Sequence, residues 1–61
     1  MICNIECLGA GNKWYTLLSQ SDLEYTRYCL KIIKRTSEYK NEGLRIFYRD
    51  INSPDKYLYE Y

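Results

Sequence analysis

The chain has 61 residues, a net charge of +1 and no histidine. Near-balanced charge argues against a strongly basic nucleic-acid binder and against an acidic nucleic-acid mimic. A hydrophobic content of 46% argues against a disordered chain. A chain this short forms one domain, residues 1–61, or part of an oligomer, and such domains bury only about 60% of their unfolded surface. Eight residues are tyrosine, so the purely aliphatic core is thin and self-association is favoured.

Residues 1–8 alternate, with Met1, Cys3, Ile5 and Cys7 on one side and Ile2, Asn4 and Glu6 on the other, as in a half-buried strand. Gly9-Ala10-Gly11-Asn12 reads as a turn. The run from Lys13 to Leu18 is rich in β-compatible and aromatic residues and is expected to return as a second strand. The alternative, an irregular lead-in, would leave the order βαββ. Ser21 and Glu24 fit a capping box, and Asp22 and Glu24 suit the positive end of a helix. The helix is expected to run to about Tyr39, with Gly43 as a left-handed stop. On a 100° wheel Leu23, Thr26, Cys29, Leu30, Ile32 and Ile33 share one arc, opposite Glu24, Arg27, Lys31, Lys34, Arg35 and Glu38.

Residues 44–49 form the clearest strand, with Leu44, Ile46 and Tyr48 facing one way and Arg45, Phe47 and Arg49 the other. Asp50 to Asp55 is rich in turn formers, and Lys56-Tyr57-Leu58-Tyr59-Glu60-Tyr61 follows as a last strand. The expected architecture is α+β, order ββαββ. One helix packs across one face of a small antiparallel sheet and covers Cys3, Ile5, Cys7, Leu44 and Ile46.

One helix leaves the opposite face of the sheet open. That face is expected to carry Arg45, Phe47 and Arg49, together with Tyr57, Tyr59 and Tyr61 if Leu58 points inward; the opposite register would wrap the tyrosines around the helix. Tyrosine and arginine dominate many protein interfaces. These six residues are therefore the candidate partner-binding set, with Arg27, Lys31, Lys34 and Arg35 as a secondary basic face that a solvated helix also explains. The expected partner is another protein, a larger host enzyme or complex, and a second copy of the chain shares the same surface or the sheet edge. By analogy of size and composition with compact accessory proteins of phages and mobile elements, some of which block host enzymes or defence systems, the expected role is that of a small inhibitor or regulator acting by steric occlusion.

Two other functions use the same residues. Aromatic rings beside arginines can stack bases and hold phosphates, which makes a single-stranded nucleic-acid platform possible but not favoured, because the usual module motifs are missing. A nucleotide-sequestering oligomer is the third reading. Catalysis is not expected: without histidine there is no ordinary neutral-pH base and no Ser–His or Cys–His pair. No metal and no cofactor are expected. Cys3, Cys7 and Cys29 match no zinc spacing. Asp50 and Asp55 are expected to bond their own backbone as turn carboxylates rather than to hold a cation as a pair. Gly9-Ala10-Gly11 fails as a dinucleotide fingerprint because Trp14 stands where its third glycine belongs. Trp14 itself is expected in the core.

Three cysteines do not close a disulfide framework. Cys3 and Cys7, roughly 13 Å apart on a strand, cannot bridge each other, although either could meet Cys29. Buried reduced thiols are the expectation. No apolar run approaches the ~20 residues that span a bilayer, and the N-terminus carries Glu6 and no basic leader. A cytoplasmic chain, complete from Met1, is expected.

Overall fold

In the computed structural model, which describes residues 1–60 and the side chains of residues 1–58, the elements follow the order ββαββ. They are β1 (Ile2–Leu8), β2 (Trp14–Gln20), α1 (Leu23–Arg35), β3 (Leu44–Arg49) and β4 (Lys56–Glu60). The βαββ alternative is not adopted, because Trp14–Gln20 pairs along β1.

The sheet order is β2-β1-β3-β4 and every neighbouring pair is antiparallel. Both β2 and β3 run against β1, so they run parallel to each other. Parallel strands need a crossover rather than a hairpin. The helix is that crossover, and it passes over β1 to reach β3. This explains why one face of the sheet is covered and the other is not.

The covered face is what the alternation of β1 and β3 dictates. Cys3, Ile5, Cys7, Leu44 and Ile46 are buried with Leu30 of α1, and Leu18, Leu23, Cys29, Ile33, Tyr39, Tyr48 and Leu58 pack around them. The register Ile5↔Ile46↔Leu58 puts three aliphatic side chains in one row beneath the helix. Thr26 is also buried, and its hydroxyl donates to the Asp22 carbonyl at 2.6 Å. All three cysteines are free thiols, so neither pairing with Cys29 is made.

Four expectations about the helix and its ends need correction. The helix cap is Asp22 rather than Ser21: the Asp22 carboxylate accepts from the amides of Glu24 and Tyr25, because a carboxylate there both satisfies orphan donors and suits the helix dipole. The helix ends at Arg35, not near Tyr39. Thr36 turns extended and returns both its amide and its hydroxyl to the Ile33 carbonyl, a local bond that competes with helix continuation. Gly43 is not left-handed; positive φ occurs among the described residues at Gly11 and Asn12, in the turn between β1 and β2. Gly43 instead ties the loop to the sheet, its carbonyl accepting from Leu8 N–H at 2.9 Å. Ile32, finally, is exposed rather than part of the inner arc. No helix among the described residues is long and apolar enough to cross a membrane.

Candidate functional site: the outer sheet face

Register decides which side chains share the uncovered face. On β1 these are Ile2, Asn4, Glu6 and Leu8; on β3 they are Arg45, Phe47 and Arg49. Tyr57 pairs with Phe47, while Leu58 pairs with buried Ile46 and packs on the core. The outward register of β4 is therefore the one adopted. The rings of Phe47 and Tyr57 lie 5.4 Å apart, and Tyr57 stays 45% exposed. Tyr59 stands opposite Arg45 in the backbone register. The side chain of Tyr59 and the whole of Tyr61 lie outside the described residues.

Arg45 is the centre of this face. Its guanidinium sits 4.0 Å from the ring centroid of Trp14 and 4.3 Å from that of Tyr57. Trp14 comes from β2 and Tyr57 from β4, so rings from opposite sides of the sheet converge on one cation. The Arg45 Nε also donates to Glu6 Oε1 at 2.6 Å, with both side chains only 15% exposed. Neighbouring rings and a paired carboxylate hold the guanidinium in place, the setting in which cation–π attraction counts most. Trp14 was expected in the core. It lies instead on the outer face, partly covered, because its β2 position opposite Leu8 carries the outward parity.

Arg49 extends the row. Its guanidinium lies 5.7 Å from the Phe47 centroid and grips Asp55 at 2.7 and 3.0 Å. This pair is open to solvent. The hydrogen bond and charge of Arg49 hold the Asp55 carboxyl below the ordinary aspartate value, and Asp55 in turn raises Arg49. Asp55 is therefore held by Arg49, while Asp50 caps the Ile51 amide at 2.7 Å. Beyond them Met1, Ile2 and Ile51 expose apolar surface at the end of the sheet, and Ile51 is 92% exposed.

A pH dependence follows from the Asp55 shift. A carboxyl depressed in the folded state contributes stability above its unfolded value and loses that contribution as pH falls through the depressed folded value. In an NMR titration the Asp55 carboxyl is expected to protonate below the ordinary aspartate range, about 3.9. Arg49→Gln is expected to return it to that range; an unmoved midpoint would show that Arg49 does not set it.

The two arginines of the face are thus matched by Glu6 and Asp55, and the face is close to neutral. The helix differs. Arg27, Lys31 and Arg35 project into solvent, and Lys34 donates to the Glu42 carbonyl at 2.7 Å. The structure does not bring this basic stripe to the outer face; it stands on the other layer.

The cysteines offer little chemistry. Cys3 and Cys7 are buried, and burial, followed by the charge of Glu42, pushes the Cys7 thiol up, away from its reactive form. No three Cys, Asp or Glu side chains gather as metal ligands among the described residues.

Two participants escaped the sequence reading, Glu6 and Trp14. Their opposite-charge and ring partners lie one and two strands away, and only strand order brings them to Arg45. No protein-family model, curated protein or solved structure matches the chain.

Proposed function

We propose that the chain is a non-enzymatic, cytoplasmic protein-binding module that uses its outer sheet face to cover the working surface of a larger protein, as a regulator or inhibitor does by steric occlusion. One observation carries this reading: the Trp14–Arg45–Tyr57 stack, anchored by Glu6. Rigid aromatic and arginine side chains held before the partner arrives lose little entropy on binding. Charge matching within the face favours a protein partner over a nucleic acid, because a phosphate would have to compete with Glu6 and Asp55 for the arginines.

The test places a photo-crosslinking residue at position 57 and, as a control, at position 31 on the helix, in cells of the native source. Crosslinking to one protein from position 57, in stoichiometric amount, is expected. Tyr57→Ser in an otherwise unchanged chain is expected to weaken binding of that protein about tenfold or more while the helix signal in circular dichroism persists. Loss of the helix signal would assign Tyr57 to the core and end the proposal. Crosslinking to RNA or DNA, with affinity for an oligothymidine strand falling steeply with salt, would replace it with the nucleic-acid reading.

A further inference from the structure

β2 and β4 are the two edges of the sheet, and they are defended unequally. β4 carries Lys56 and follows Pro54 by two residues, and charge and proline both discourage edge pairing. β2 has no charged residue, no proline and no glycine over its seven residues. Its one guard is a bulge at Leu17, where Thr16 and Leu18 pair with consecutive residues of β1, and this leaves two short regular runs on either side. An edge of this kind presents a row of backbone donors and acceptors to any further strand.

The helix adds an apolar flank. Tyr25, Tyr28 and Ile32 recur at helical spacing and are all exposed, and the rings of Tyr25 and Tyr28 stack at 6.4 Å. On a 100° wheel Tyr25 and Ile32 lie to one side of the buried Thr26/Leu30 face and Lys34 to the other. Lys34 reaches the carbonyl of Glu42, two residues before β3. The Lys34 flank therefore looks toward β3, and the flank of Tyr25 and Ile32 looks toward β2.

We propose that β2 pairs antiparallel with β2 of a second copy of this chain, joining two sheets into one of eight strands, with the Tyr25/Ile32 flanks of the two helices facing across the two-fold axis. Charge selects the second copy as occupant. In an isologous interface each patch meets itself, so a charged patch would meet its own sign. β2 and the Tyr25/Ile32 flank carry no charge, while Arg35, Glu24, Lys31 and Arg27 lie about 60° or more from Ile32 around the helix, on the side of Tyr28 that turns away from the sheet. Backbone pairing is self-complementary without any matched side chain. The axis stands normal to the joined sheet, so both outer faces open on the same side and remain free.

The test measures the mass of the full chain by sedimentation across a concentration series, with amide exchange read in parallel. A species of twice 7.4 kDa is expected to grow with concentration, and β2 amides are expected to gain protection as it does. Leu17→Lys with Ile32→Lys, at positions 37% and 46% exposed, is expected to raise the dissociation constant about a hundredfold with the helix signal intact. Should that variant fold poorly, the exchange of the unaltered chain decides. A monomer at the highest soluble concentration overturns the proposal. So does a dimer whose β2 amides exchange equally fast at low and high concentration, or one that survives the lysines and dissolves with Tyr57→Ser, which would put the second copy on the outer face.

Discussion

Ile46→Ala is expected to destabilise the fold by about 2–5 kcal/mol, a large part of the stability a chain of this length has. Ile46 is buried at the middle of β3, with Ile5 beside it on β1 and Leu58 on β4. Truncating a buried isoleucine removes its transfer energy and leaves a cavity, at a cost of about 2–5 kcal/mol. A domain of this length, at ~0.05–0.15 kcal/mol per residue, has only about 3–9 kcal/mol of stability in total. The aliphatic core is one layer thick, so nothing beneath Ile46 can collapse into the gap. Urea unfolding at fixed protein concentration, followed by circular dichroism, checks this, since any self-association would make stability depend on concentration. Ile51→Ala is the companion measurement. Ile51 is almost fully exposed, and its loss is expected to change stability by no more than about 0.5 kcal/mol. A small effect at Ile46, or a large one at Ile51, would mean that the helix does not rest on this row.

That row was legible in the sequence because burial on one face imposes a period of two. Cys3, Ile5 and Cys7 alternate with polar neighbours, Leu44 and Ile46 with Arg45 and Phe47, and the buried set follows directly. The outward placement of Tyr57 depends on Leu58 having an apolar partner, and Ile46 is that partner. What alternation does not encode is lateral order. Nothing in the residues of β1 says that it lies between β2 and β3, and that placement is what brings Glu6 to Arg45 and lets Trp14 reach over from β2. The ends of the helix were misread for a local reason. Ser21 and Asp22 are both good caps, and the choice between them rests on the bonds that the Asp22 carboxylate accepts from the Glu24 and Tyr25 amides. At the other end the amphipathic pattern continues past Arg35, but Thr36 spends its hydroxyl on the Ile33 carbonyl and the backbone leaves the helix there. The stripe of Tyr25, Tyr28 and Ile32 was hidden because the wheel counted Ile32 with the core and placed the two tyrosines on neither arc. Here the helix has more apolar circumference than one sheet face can cover.

Glu6→Met is expected to destabilise the fold by about 1–3 kcal/mol, more than an exposed ion pair would cost. The carboxylate lies 2.6 Å from the Arg45 Nε, and both side chains are mostly shielded. Removing it takes a charged acceptor from a guanidinium that the rings of Trp14 and Tyr57 keep away from water. Arg45→Met alone is expected to cost a similar amount, because Glu6 then stands in the same shielded place without its cation. The pair Glu6→Met and Arg45→Met should recover most of the loss, since two apolar side chains of similar length can fill the space without a desolvated charge. A double-mutant cycle of Glu6→Met, Arg45→Met and the pair, read on unfolding free energies, measures the coupling, expected at about 2–3 kcal/mol. The same double variant divides stability from docking. If the outer face binds its partner through the Arg45 stack, the refolded double variant stays folded and loses binding. If the stack serves the fold alone, it stays folded and binds as before. An additive cycle, with no recovery in the double variant, would show that the 2.6 Å contact contributes nothing measurable and that the order of the face comes from its rings.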